Sequence, residues 1–245
     1  MNNWRNDNYS EAYLLANPTL SFRDPNYYFE RILELLHGFN PKSIIDVCCG
    51  TGDITLAAER HGYKISGLDK SSYLLNIARK KSPHLTWYEQ DVLNLDIKDR
   101  FELVLCLYNS FGYYQTDKEN LHFLKNIRKL LSDHGVLVLE FPSYVYISEI
   151  FEEKDCYKTW VSTPKGYILE EAWWHEETSI IESHRIVFDN DNRKYHFDLN
   201  TKLYTLNQMK EFLHDTGFSN IKFVESPKIN TEGDKSSNVL AIASV

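Results

Sequence analysis

The run from Ser43 to Asp69, S-I-I-D-V-C-C-G-T-G-D-I-T-L-A-A-E-R-H-G-Y-K-I-S-G-L-D, constrains this chain more than any other. Apolar Ile44, Ile45 and Val47 lead into a loop of small residues, Cys48 to Gly52, and then into helical spacing. A second short strand, Lys64 to Leu68, ends on Asp69. Strand, glycine loop, helix, strand, acid is the plan of a nucleotide-binding crossover. Lacking side chains, Gly50 and Gly52 let the backbone turn tightly and lie against a ligand. Asp69 falls where a carboxylate can accept from both ribose hydroxyls. A bare G-x-G is weak evidence, and a dinucleotide fingerprint would place a third glycine where this chain has Thr55. A pyridine- or flavin-nucleotide domain with a degenerate fingerprint is the competing reading.

The loop starts from Asp46 and reads D-x-x-x-G-x-G. Here the chain resembles the class I S-adenosylmethionine-dependent methyltransferases, from about Pro41 to Pro142 and more faintly beyond. It looks closest to the small-molecule group that includes amino-sugar N-methyltransferases. The resemblance implies S-adenosylmethionine as cofactor and S-adenosylhomocysteine as product. It implies cofactor contacts at Asp46, Cys48, Gly50, Thr51, Gly52, Asp69 and Lys70, with Asp91 and Val92 on the adenine. Leu107 and Tyr108 follow from the fourth motif, and Tyr13, in a Tyr9-x-x-x-Tyr13 spacing, from the leader.

Beyond Asp69 the elements alternate regularly. Tyr73, Leu74, Ile77 and Ala78 form a helical face, Leu85 to Gln90 a strand, and Phe101 to Leu107 a nearly continuous apolar run suited to a central parallel strand. Thr116 to Glu119 is a capping box opening a helix with Leu121, Phe123, Leu124, Ile127, Leu130 and Leu131 on one face, and Val136 to Phe141 is a further strand. This predicts a doubly wound, mostly parallel, seven-stranded α/β sheet. Residues 1–40 are expected to be an N-terminal helical lid, 41–142 the cofactor-binding core, 143–204 an inserted antiparallel β meander capping the substrate, and 205–245 the rest of the core. The meander strands are read at Tyr167–Trp174, Ser179–Phe188 and Lys194–Leu203, and the final strands, Ile221–Glu225 and Asn238–Val245, as the antiparallel edge.

For catalysis the sequence offers Tyr113, in the aromatic loop Tyr108–Tyr114, and His175 and Glu171 as proton acceptors. The loop lacks the Asn/Asp-Pro-Pro-Tyr of enzymes that methylate a flipped base, and lacks the acids of magnesium-dependent catechol enzymes, so no metal is expected. Its rings could surround a sulfonium through cation–π attraction of roughly 1 kcal/mol each. With Asp and Glu at 35 against 27 Lys and Arg, the net charge of −8 disfavours nucleic acid as a partner. Four cysteines show neither C-x-x-C nor zinc spacing, and no apolar run is long enough to span a membrane. The expectation is a cytoplasmic monomer or homodimer acting on a small molecule, most simply by N-methylation of an amine. The alternatives are an enzyme that uses S-adenosylmethionine without transferring its methyl, and a non-catalytic binder of the cofactor.

Overall fold

The computed structural model describes residues 11–16, 24–227 and 237–245. Strand β1 (Ile44–Val47) is buried throughout, and its alternation divides the core in two. Ile45 and Val47 join Phe123, Leu124, Leu137 and Leu139 on one side; Ile44 joins Ile32, Ile54 and Leu103 on the other. Each such side chain withdrawn from water contributes about 1.5–3 kcal/mol. β1 pairs in parallel with β2 (Ile65–Asp69) and β4 (Phe101–Cys106). With β3 (Thr86–Glu89), β5 (Leu131–Pro142), β10 (Ser219–Glu225) and β11 (Asn238–Ser244) the sheet order is β10-β11-β5-β4-β1-β2-β3. The expected seven-stranded, mostly parallel sheet is therefore present. β11 runs antiparallel to both β5 and β10, so the antiparallel strand lies one place in from the edge.

The winding reverses between β1 and β4, which opens a crevice at their carboxyl ends. Of helices α2 (Pro25–Leu35), α3 (Asp53–Arg60), α4 (Ser72–Lys81), α5 (Asp117–Leu130) and α7 (Leu206–Asp215), all but α3 begin on a side-chain N-cap. Asp24 accepts from the amides of Asn26 and Tyr27, Thr116 from that of Glu119, and Thr205 forms a full capping box with Gln208.

After the short helix α6 (Tyr144–Phe151), a separate antiparallel sheet runs β6-β7-β8-β9 through Tyr157–Thr163, Gly166–His175, Ile180–Asp189 and Lys194–Lys202. Three of its strands match the sequence reading. β6 does not: it is an edge strand exposed on both faces, so no alternation marks it. Helix α1 (Glu11–Ala16) packs on β8 and β9, with Leu15 and Ala16 buried against Ile168, Val187 and Phe197. The leader is thus tied to the second sheet. Trp4, Tyr9 and Phe22, and most of the polar stretch 226–237, lie outside the described residues.

Candidate active site

The loop after β1 turns twice through left-handed backbone, at Cys48 (φ 59°) and Gly50 (φ 55°), before Gly52 (φ 77°) opens α3. The Gly50 N–H donates to Asp69 Oδ2 at 2.8 Å, and the Ser71 N–H donates to Asp69 Oδ1 at 2.8 Å. Burial raises the Asp69 pKa, and these two amides oppose that rise. Asp46, at the end of β1, accepts from the Thr55 hydroxyl at 2.7 Å. Burial pushes its pKa up to about 7, against the pull of that hydrogen bond. The position where a dinucleotide fingerprint needs glycine therefore carries a hydroxyl that holds the motif's first acid.

Gly52 is needed for more than the turn its motif suggested. A Cβ there would stand 2.5 Å from the Trp87 indole, and one on Gly67 would stand 2.4 Å from the same ring. Gly50, by contrast, lines the crevice.

Two small cavities, about 70 and 40 Å³, lie along the loop. The larger takes Asp69, Lys70, Leu74, Asp91 and Val92 as wall; the smaller takes Asp46, Thr51, Leu107 and Tyr108. Tyr13, Cys48 and Gly50 are common to both. The structure therefore brings the predicted cofactor residues together, Gly52 excepted. Asp91 Oδ1 accepts from the Leu93 amide at 2.9 Å and from the Tyr114 hydroxyl at 2.9 Å. Tyr114, read in the sequence only as a ring of the aromatic loop, also lines this cavity, and only the fold shows its reach across 23 residues to Asp91. A hydrogen bond with Cys106 and burial push the Cys48 thiol well up, so it is no thiolate at neutral pH.

A third cavity of about 380 Å³ opens between the sheet edge and the antiparallel sheet. Tyr13 lines all three cavities, Tyr113 the first and third, and Tyr108 the second and third. These rings form the junction. Burial raises the hydroxyl pKa of Tyr13, and that of Tyr113 to about 12, so both are protonated donors near neutral pH. Tyr113 therefore offers a hydrogen-bond donor at this junction.

The other two predicted acid/base groups stand elsewhere. On β7 the pleat turns Glu170 and Ala172 toward the large cavity, and Glu171 and His175 away from it. Glu171 accepts from Lys158 at 2.6 Å, and His175 bonds Glu182 at 3.0 Å, both on exposed surface. Neither faces the large cavity. The charged residues that do line the large cavity are Glu170 and Arg185, directly opposite in register and joined at 2.9 Å. Strand pairing alone reveals them. Arg185 also donates to the Ala16 carbonyl at 3.1 Å, fastening α1.

The loop after β4 is held from below. Tyr108 and Asn109 are both left-handed (φ 58°), a strained pairing for residues other than glycine. The Tyr108 N–H donates to Glu140 Oε2 at 2.6 Å, while Glu140 Oε1 accepts from Ser226 at 2.9 Å and Asn238 at 2.8 Å. Glu140 is only 1% exposed. Its signal in the sequence is a lone acid in the apolar run Val136–Phe141.

Among the described residues no three His, Cys, Asp or Glu side chains converge as metal ligands, and no helix is long and apolar enough to cross a membrane. Residues 44–135 match the family model described as Methyltransferase domain. The chain is 32% identical over 136 residues to demethylmenaquinone methyltransferase of Thermotoga maritima, covering 54% of this chain and 58% of that one. It is 29% identical over 111 residues to the Streptomyces venezuelae dTDP-3-amino-3,4,6-trideoxy-alpha-D-glucopyranose N,N-dimethyltransferase, covering 44% and 47%. An S-adenosylmethionine-dependent methyltransferase structure from Clostridium acetobutylicum superposes with a TM-score of 0.77 at 17% identity, over 96% of this chain and 97% of that one. With the strand order, the acid-bearing glycine loop and this matched domain, the chain is an S-adenosylmethionine-dependent methyltransferase of the class I fold.

Proposed function

We propose that this enzyme methylates an amine nitrogen on a small molecule held in the cavity of about 380 Å³. The donor set along the two smaller cavities fits S-adenosylmethionine. Asp69 would accept from the ribose hydroxyls, since its two backbone hydrogen bonds leave further lone pairs on the carboxylate. Asp91 and the Val92 amide would hold the adenine edge, with Leu74 and Val92 against its faces. Asp46 and Tyr13 would take the charged amino-acid end. Bound there, the cofactor supplies a methyl group made electrophilic by its sulfonium.

The chain's own contribution is then alignment and exclusion of water, worth several kcal/mol when the reacting atoms are held in line. Tyr13, Tyr108 and Tyr113 form the wall between cofactor and acceptor, and their ring faces suit a passing positive charge.

One observation carries the choice of nitrogen. Among the described residues lining the large cavity, the single carboxylate is Glu170, already engaged by Arg185, and no histidine is present. A phenol or carbon acid needs a base to be activated; a neutral amine attacks with its lone pair and sheds its proton afterwards. The N,N-dimethyltransferase relative agrees with this reading. The test is incubation with methyl-labelled S-adenosylmethionine and a fractionated metabolite extract, followed by mass spectrometry. An N-methylated product with S-adenosylhomocysteine is expected; label on oxygen or carbon, or release of methylthioadenosine, refutes the proposal.

A further inference from the structure

The buried Glu140 network determines more than the position of the Tyr108–Asn109 loop. Glu140 receives hydrogen bonds from a backbone amide, a hydroxyl and the Asn238 side chain, so it acts as an acceptor throughout. Asn238 must therefore turn its NH2 toward Glu140 and keep its carbonyl for others. That carbonyl accepts from Asn109 Nδ2 at 2.9 Å and from the Ser237 hydroxyl at 3.4 Å. Asn109, having given its NH2 to Asn238, must hold its own carbonyl oxygen on the remaining side. Two amides whose orientation would otherwise be arbitrary are thus ordered in sequence by one carboxylate.

Asn109 Oδ1 is buried and has no hydrogen-bond partner among the described residues. An orphaned acceptor of this kind is destabilising, and its residue is also held in left-handed backbone. Both penalties fall in the wall of the large cavity, which Asn109 lines beside Tyr108 and Tyr113. Burying an unmet acceptor there is explicable if a ligand meets it.

We propose that Asn109 is a specificity-determining residue whose carbonyl oxygen accepts a hydrogen bond from an N–H donor on the methyl acceptor, and that Glu140 is a positioning residue that fixes this polarity through Asn238. The inference rests on the reading of the large cavity as the acceptor site. It goes further by specifying that the acceptor presents a donor, not an acceptor atom, to the loop after β4.

Glu140→Gln tests it with little change of shape. The Tyr108 N–H is fixed in the backbone and retains the oxygen of the new amide, so its NH2 faces Asn238. Asn238 then reverses, Asn109 reverses after it, and the cavity wall changes from acceptor to donor. The probes are benzylamine and benzoate, alike in shape and opposite in polarity, titrated by NMR into the protein saturated with S-adenosylhomocysteine. The wild type should prefer benzylamine, and Glu140→Gln should lower that preference by about tenfold. In an Asn109→Gly background, where glycine suits the backbone, the same substitution should alter the preference by less than about twofold.

A preference unchanged by Glu140→Gln, or changed equally with and without Asn109, overturns the relay and leaves the cavity assignment standing. Failure of both probes to bind the wild type overturns the cavity assignment and the relay together. Should Glu140→Gln not fold, Asn109→Gly alone decides: it must reduce the benzylamine preference by about tenfold, and an unaltered preference refutes the proposal.

Discussion

Asp46 should make cofactor affinity steeply dependent on pH. Its carboxyl is almost fully buried, 3% exposed, and its pKa stands at about 7 instead of 3.8. Below pH 7 the group is therefore protonated in the free protein, and holding the ammonium end of the cofactor requires it to lose that proton. Each pH unit below 7 then costs about 1.4 kcal/mol, or tenfold in affinity. The assay is calorimetric titration with S-adenosylhomocysteine between pH 5.5 and pH 8, in paired buffers of different ionisation enthalpy. The dissociation constant should be nearly flat above about pH 7.5 and rise about tenfold per unit below 7, with close to one proton released at pH 6. Asp69, whose pKa burial also raises, titrates in the same crevice, so Asp46→Asn is the necessary control. That variant should bind about tenfold or more weakly at pH 8 and lose most of the slope. A flat wild-type profile, or a slope that survives Asp46→Asn, would refute the assignment.

The same group governs the stability of the ligand-free chain. The folded state holds the Asp46 proton more tightly than the unfolded chain, so this contribution is complete below pH 3.8 and is lost as pH rises to about 7; urea titrations should show the decline, and Asp46→Asn should abolish it. Asp69→Ala should weaken S-adenosylhomocysteine binding by about tenfold or more, through roughly 1.5–3 kcal/mol of lost charged hydrogen bonding, and unchanged affinity in calorimetry would remove the ribose role. Gly67→Ala should cost about 1–3 kcal/mol in denaturant melts by driving a methyl into the Trp87 indole, and Trp87→Leu in the same chain should recover part of it. His175→Ala should leave methyl transfer within about twofold of wild type, because the ring lies on the face of β7 turned away from the large cavity.

Legibility in the sequence followed how local each determinant was. The crossover from β1 through α3 to β2 was readable because its strand burial, glycine loop and terminal acid lie within 27 consecutive residues. Caps at Thr116 and Thr205 were readable for the same reason. Which acid faces the large cavity was a matter of parity: along a strand a step of one residue exchanges faces, so Glu170 reaches the cavity where Glu171 does not. Gly52 was singled out for its turn, which its φ of 77° bears out, but its second constraint was not legible, since Trp87 is 35 residues away in the chain. Glu140 and Asn238 meet across 98 residues, and nothing short of the strand order joins them.

Tyr13 belongs to a helix anchored on the antiparallel sheet, yet its side chain lines all three cavities. If the smaller cavities hold the cofactor and the larger one the acceptor, as proposed, any change in that ring on binding one ligand is felt by the other. Whatever factor the cofactor adds to the acceptor's affinity by settling that ring, the acceptor must return to the cofactor in equal measure. On that reading, discharge of the spent cofactor would be tied to departure of the methylated product, through a helix encoded ahead of the first strand of the core.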